Sequence, residues 1–513
     1  MFSPLTVVSP QAIIVPAALE YSIWPYQHRF QQAAQVMADG IFDDLDQDLQ
    51  PEVMLLGIPN DGGPAVCLEP EQCGLPAEAF SEVMTRGQFL RRAKEASMPL
   101  AEGYTTEMMT RRFEGMGLRL AVQEVLDELE KKNSALRSFA GWPVLIGEFF
   151  VVTILRVRRK FLKAHPALQP NRFYTDGRPL ASSLIEAAVR RFHEECIKSL
   201  TEPDPGAGLL LRPRDTDEVV RSAGKLLMDT PAQALGMDPA AAKLFNTLNT
   251  VSSLRYEGTA GVGQVLLARR GHPNVQEIFA LTCPTPLSDY RAVRKLLQMT
   301  SNDVSLLSDG ENVYALGRHV GNYDSSREDL FVISFLHHYV WEFRHGGQVI
   351  MRSSYGQPSL PQTRLSRSEF RQGLRQTFGL TDPAKVERLW DVLVEASRQQ
   401  SGTLVVITTE ALAEADRLKL QCTLIEPVPL TPLITRLITA IDGAVLIDPE
   451  AYCYSIGVIL DGKASGRGSS TRGARYNSAL RYVESSPYPC MAIVVSEDGL
   501  VDILTKDNLP ERH

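Results

Sequence analysis

The chain of 513 residues has seven cysteines, nine histidines and four tryptophans. Cys67 and Cys73 stand close together, but no second pair follows at metal-ligand spacing, and Cys196, Cys283, Cys422, Cys453 and Cys490 are scattered. That pattern excludes a disulfide framework and a zinc ribbon, and it predicts that most thiols are core residues. No apolar run is long enough for a bilayer span. The longest, Trp142 to Leu155, is broken by Glu148 and reads as a buried helix running into the basic stretch Arg156 to Lys163. Met1 to Ala17 carries no positive n-region and is interrupted by Pro4, Pro10 and Pro16, so no signal peptide is expected. There is no excess of positive charge either. A net charge of −8 argues against a nucleic-acid polymer as partner. A cytoplasmic protein without a membrane span is the expectation. No Ser-His-Asp or Cys-His arrangement with a recognisable local sequence is present.

With 44% hydrophobic residues the chain can fill several cores, and its length suggests two to four domains. We expect a mostly helical region over 1–205, on the spacing of Phe113 to Glu130 and Leu184 to Leu200. Glu202 to Gly208 (EPDPGAG) reads as a linker. An α+β region over 209–380 follows, helical to about 250. In it Gly258 to Cys283 reads as a hairpin, Ser305 to Gly317 as strand–turn–strand, and Trp341 to Met351 as another hairpin. The last region, 381–513, reads as an α/β layer: a helical stretch from Phe370 to Gln399, the β-branched run Leu404 to Ile407, and a helix from Leu430 to Ile441. Strands then follow over Ala444 to Ile447, Ser455 to Leu460, Cys490 to Val495 and Leu500 to Leu504. The Leu430–Ile441 helix would bury Leu430, Leu433, Ile434, Leu437, Ile438 and Ile441 on one face.

The chemistry concentrates in this last region. Gly462 to Gly473 is rich in glycine, serine and basic residues and runs into a helix start at Arg472-Gly473-Ala474-Arg475-Tyr476-Asn477-Ser478-Ala479. Backbone N–H groups and the positive end of a helix dipole suit a polyphosphate. Asp442-Gly443-Ala444 places a carboxylate on a tight turn where it could hold a metal ion or accept a proton from a ribose hydroxyl. Glu497 has two readings, a metal ligand and a solvated turn residue. Asn477 and Ser478 likewise could touch a ligand or cap the helix. Gly457 to Ala464 comes near a P-loop, but Ala464 lacks the required hydroxyl and Val458-Ile459-Leu460 are strand-like.

Four signals in order are Gly402-Thr403 before a strand, Asp442-Gly443-Ala444, the Gly-rich loop into Arg475, and Val494-Val495-Ser496-Glu497 before a turn. On these, Ser401 to Leu504 resembles a diadenylate cyclase (DAC) domain, the fold that joins two ATP molecules into cyclic di-AMP. The resemblance implies a C-terminal mixed sheet flanked by helices and a nucleotide site at Gly402, Thr403, Asp442, Gly443, Ala444, Gly473, Arg475, Tyr476, Asn477 and Ser478. It also implies Mg²⁺ or Mn²⁺ at Asp442 and Glu497, and a homodimer through this domain. The cyclases carry a Thr-Arg-His-Arg-type second motif. In this chain Ala474, Tyr476 and Asn477 replace its Thr, its His and its second Arg, and only Arg475 keeps its place. Asn for Arg loses a charge and a rigid fork of donors. Arg475-Tyr476-Asn477-Ser478-Ala479, with the upstream hairpins from about residue 240, is similar to the DACNV type of nucleotide-sensor unit. Two functions therefore stand: a sensor that binds ATP or a nucleotide second messenger without turnover, and a cyclase in which Asp442 is catalytic.

Overall fold

The computed structural model describes residues 22–509 except 64, 71–73, 98–105, 133–134, 170–179, 208–214, 239–242, 256–261, 302, 362–366, 398, 400–401, 464–472 and 497–500. The chain forms two compact units, 1–361 and 362–513, each mixed α/β.

The N-terminal unit begins with α1 (Gln27–Asp46), β1 (Glu52–Pro59), β2 (Val66–Glu69), α2 (Val83–Ser97) and α3 (Thr106–Lys132). It continues through β3 (Leu136–Ala140), β4 (Val144–Ile146), β5 (Phe149–Arg158), α4 (Arg159–Leu162), α5 (Leu184–Leu200) and α6 (Thr216–Leu235). Helices dominate, as expected, but an antiparallel sheet ordered β2-β1-β5-β3, with β4 also on β5, runs between them. Val53, Leu55, Val151, Leu155 and Val157 face a core shared with α1, α5 and α6. Met54, Leu56, Ile58, Val152 and Ile154 face α3 on the other side. This overturns the buried helix expected over Trp142–Leu155. A strand covered on both faces is apolar without alternation, so its periodicity cannot be told from a buried helix. The β-branched residues of Phe149–Arg158, and Gly147 at φ +58° in the β4–β5 turn, are what favour the strand.

A second sheet follows, built of β6 (Gly263–Ala268), β7 (Val275–Pro286), β8 (Ser305–Ser308), β9 (Asn312–His319), β10 (Leu330–His337), β11 (Val340–His345), β12 (Gln348–Ser354) and β13 (Gln357–Ser359). Its order is β13-β12-β11-β10-β6-β8-β9-β7, with β6 and β8 parallel. α7 (Leu244–Ser253) and α8 (Tyr290–Leu296) accompany it. The β8–β9 and β11–β12 hairpins are as expected. The hairpin expected over Gly258–Cys283 is not formed. β6 pairs with β10 and β8, and β7 pairs with β9 at the sheet edge, so long-range pairing overrides proximity in sequence. Cys196 is a buried free thiol, as expected, whereas Cys67 on the edge strand β2 is disulfide-bonded, a pairing that spacing alone does not reveal.

The C-terminal unit contains α9 (Arg367–Phe378), α10 (Pro383–Ala396), β14 (Thr403–Thr408), α11 (Ala411–Arg417), β15 (Thr423–Pro429) and α12 (Pro432–Ile438). After these come β16 (Ala444–Ile447), β17 (Tyr452–Val458), α13 (Ala474–Ser485), β18 (Cys490–Val495) and β19 (Val501–Thr505). Its sheet is ordered β15-β17-β16-β14-β18-β19, with β14 and β16 parallel. Leu404, Val406 and Leu446 face a core with α11 and α13, while Val405, Ile407, Val445 and Ile447 face one with α9 and α10. α12 is shorter than expected and turned. Leu433 and Leu437 are 64% and 62% exposed, and Thr435 and Thr439 are buried instead. The buried Glu395 of α10 fixes this orientation, because it accepts from Arg436 Nε at 2.7 Å.

One core group has a pH signature. Burial, reinforced by the Arg119 charge, holds the His193 imidazole down at about 3. A depressed histidine keeps its stabilising neutral form above the ordinary pKa and loses that stability as pH falls from about 6.5 toward 3. Urea unfolding across that window should show the wild type losing up to about 1.4 kcal/mol per pH unit more than His193→Gln.

Candidate functional site

The sheet of the C-terminal unit brings the sequence signals to one edge. β14 and β16 are parallel, so both start there, with Leu404 opposite Ala444. β18 is antiparallel to β14 and ends there, with Val495 opposite Thr403. β17 also ends there, with Val458 opposite Ala444. Gly402-Thr403, Asp442-Gly443-Ala444 and Val495-Ser496 thus share an edge although they lie far apart in the chain.

The Asp442 turn is shaped by two glycines. Gly443 has φ +101°, and a Cβ on it would lie 2.6 Å from the Gly457 carbonyl carbon. Gly457 has φ +63° and lies against the Asp442 carbonyl and Ile441. Only glycine permits both the left-handed backbone and the close approach. The turn thrusts the Asp442 side chain outward, 91% exposed, with the apolar side chains Ile441 and Ile459 exposed nearby in the chain.

α13 delivers the second motif to the same place. Gly473 is its N-cap, extended and without a side chain to cap the first turn, and the Asn477 N–H donates to the Gly473 carbonyl at 3.2 Å. First-turn N–H groups have no intrahelical acceptor, which suits them to an anion. Arg475 Nη2 donates to Asp442 Oδ1 at 3.0 Å, joining the two motifs. Tyr476 is half-buried and packs on the core formed with Leu480 and Ala444, beside Cys422, Tyr454 and Leu460. Asn477 Nδ2 reaches the Gly473 carbonyl at 3.4 Å, and Ser478 is half-buried. Gly402 (φ +67°), Thr403 and Ala444 are buried, so Thr403 and Ala444 shape the edge from within. Glu497 and the loop 464–472 lie outside the described residues.

Sequence reasoning missed a network that anchors the loop. Glu414 of α11, 1% exposed, accepts from Arg417 Nε and Nη2, both at 2.8 Å, and from the Tyr482 hydroxyl of α13 at 2.7 Å. Arg417 in turn clasps Asp461 through two bonds of 2.6 and 2.9 Å. The bond from Arg417 holds the Asp461 carboxyl below its ordinary range, and burial followed by Glu414 pushes the Tyr482 phenol up. Gly462 sits against the Arg481 backbone, where a Cβ would be 2.7 Å away. The start of the Gly-rich loop is therefore tied to both helices. The sole local signal was an (i, i+3) Glu–Arg pair, which is common on helix surfaces.

The metal expectation meets a different donor set. Among the described residues no group of three or more His, Cys, Asp or Glu side chains comes together that could hold a metal ion, and Asp442 is engaged by Arg475.

Residues 391–509 match the family described as DisA bacterial checkpoint controller nucleotide-binding, the DAC family. This segment is a DAC domain. Upstream of the DAC domain, residues 23–228 match the probable sensor domain DACNG and residues 242–347 the probable sensor domain DACNH. The chain thus has the sensor-branch arrangement; its matched upstream types are DACNG and DACNH, where the sequence resemblance had named DACNV. No curated protein matches the chain. Among solved structures, a double-mutant DacA from Staphylococcus aureus is 18% identical and covers 29% of this chain and 90% of its own. A hypothetical membrane spanning protein from Bacillus cereus is 19% identical and covers 26% of this chain and 64% of its own. Both have a TM-score of 0.21. Among the described residues, no helix is long and apolar enough to cross a membrane.

Two substitutions test how the DAC domain site is built. Gly443→Ala should cost about 1–3 kcal/mol in backbone strain alone, read as a lower melting temperature. Arg417→Ala should leave the buried Glu414 carboxylate short of partners and cost roughly 2 kcal/mol, after allowing for the exposure of Arg417. A melting curve unchanged in Arg417→Ala would remove the anchoring role.

Proposed function

We propose that the DAC domain binds an adenine nucleotide, ATP or a nucleotide second messenger, without turning it over, and that the upstream sensor domains act with it. The reading is carried by the Asp442–Arg475 pair. In a cyclase this carboxylate would have to be available to the reacting hydroxyl. Here its Oδ1 accepts from a guanidinium at the start of α13, although the side chain is otherwise exposed. A nucleotide phosphate arriving at that helix start would compete with Asp442 for Arg475, and charge-assisted bonds to phosphate are the stronger kind. Ligand binding would then release Asp442 and loosen the link between α13 and the 441–443 turn. Such a difference in contacts between free and bound states is what a sensor requires. The eroded second motif, with Tyr476 and Asn477 in place of the His and the second Arg, agrees with binding without chemistry.

The cyclase reading keeps one observation in its favour, the intact Asp442-Gly443-Ala444. It would need two copies facing each other through the DAC domain, each holding ATP. Incubation with ATP and either Mg²⁺ or Mn²⁺, followed by mass spectrometry of the small molecules, separates the two. The proposal expects ATP to be unchanged and the melting temperature raised; cyclic di-AMP among the products would overturn it. By calorimetry, Arg475→Ala should weaken nucleotide binding by about 1.5–3 kcal/mol, while Asp442→Asn, which removes the competitor, should preserve or tighten it.

A further inference from the structure

The N-terminal unit brings two buried polar side chains without partners beside a half-buried arginine, far in sequence from the DAC domain. Arg119 of α3 is half-buried. Its Nε donates to the Ala140 carbonyl at 3.2 Å, and it makes no ion pair among the described residues. Burial pulls its pKa down, and the Arg190 charge adds to that. His193 of α5 is 7% exposed, and neither ring nitrogen makes a hydrogen bond of normal geometry, although the Phe139 carbonyl lies close. Thr153 of β5 is 2% exposed, and its Oγ1 has no partner.

Arg119, the His193 ring and the backbone of Thr153 meet at Ala140–Gly141, where β3 ends. Arg119 holds the Ala140 carbonyl, and the Gly141 N–H donates to the Thr153 carbonyl at 2.8 Å. A Cβ on Gly141 would lie 2.7 Å from His193 Nδ1 and 2.9 Å from that same carbonyl. Arg190, one turn before His193 on α5, adds a second guanidinium, held by Glu186 and the Leu180 carbonyl. Next in the chain, the Trp142 ring lies on Gly115 of α3, where a Cβ would come within 2.5 Å of it.

Each buried polar group without a partner costs about 1–3 kcal/mol, and two of them beside one guanidinium call for a common cause. A buried water would satisfy His193 and Thr153 but bring no negative charge to Arg119, and the Glu186 carboxylate that acts on Arg119 is already paired with Arg190. A cation is repelled by two guanidinium groups. What is present is a set of donors: the Arg119 fork, one N–H of a neutral imidazole, and a hydroxyl.

We propose that the pocket formed by Arg119, Thr153 and His193 against Gly141 binds a small oxyanion, or the oxyanion group of a small metabolite. Arg119 forms the mouth. His193 and Thr153 form a floor closed to solvent, so occupancy displaces the 139–142 segment and with it the Trp142 ring on α3. Binding would thereby reach both helices that flank the sheet.

The test uses the full chain with ¹⁵N-labelled histidine, titrated at neutral pH with inorganic phosphate and, separately, with acetate. The ring signals of His193 and the melting temperature are the readouts. A saturable shift of the His193 signals with at least one probe is expected. It should be abolished in Arg119→Gln, weakened several-fold in Thr153→Val, and retained in Arg475→Ala, which separates it from binding at the DAC domain. A response to phosphate alone assigns phosphate-bearing ligands, and one to acetate alone assigns carboxylates. No saturable shift with either probe, or a shift that survives in both Arg119→Gln and Thr153→Val, would overturn the proposal. Thr153→Val preserves side-chain volume, so the test stands even where Arg119→Gln fails to fold.

Discussion

The candidate site depends on the close approach of Gly443 to Gly457. Two left-handed backbones in contact bring the start of β16 against β17 and leave no room for a side chain between them. Asp442 can then stand clear of the edge, and the parallel pairing of β14 with β16 places Gly402 and Thr403 beside it. Were this approach relaxed by the width of one methyl group, the turn would lift away from the sheet and Asp442 would no longer face the start of α13.

The same edge illustrates a division of labour. Thr403 and Ala444 are buried and set the shape of the edge. Asp442 and Arg475 are exposed enough to meet a ligand. Tyr476 belongs partly to each group, because its ring rests on the core while its backbone lies in the first turn of α13. Beneath them, the Glu414–Arg417–Asp461 chain of bonds holds the loop entry at a fixed point.

Much of this was legible in the sequence because the relevant signals are local. Asp-Gly turns, a glycine before a helix, and β-branched runs bounded by turns declare themselves in short windows. What was not legible depended on partners distant in the chain. Phe149–Arg158 reads equally as helix or strand until it is known that both faces are covered. The α12 face was misjudged because the buried Glu395 on another helix, through Arg436, outweighs the apolar stripe. β6 and β7 are neighbours in sequence, yet each pairs with strands that come later. Arg119, Thr153 and His193 carry no motif at all; Thr153 Oγ1 and the His193 ring stand out only because they are buried without partners.

The strand order of the DAC domain also sets a timetable for synthesis. The central strand β14 receives its parallel neighbour β16 after two intervening helices and an edge strand, but its antiparallel neighbour β18 emerges only after β17, the glycine-rich loop and α13 have been made. Until then one side of β14 carries open backbone donors and acceptors, the arrangement most prone to pairing with another chain. A chain that has emerged as far as Val458 but not to Cys490 therefore presents a half-built sheet, with the Asp442 turn made and the strand that closes the other side of β14 still missing.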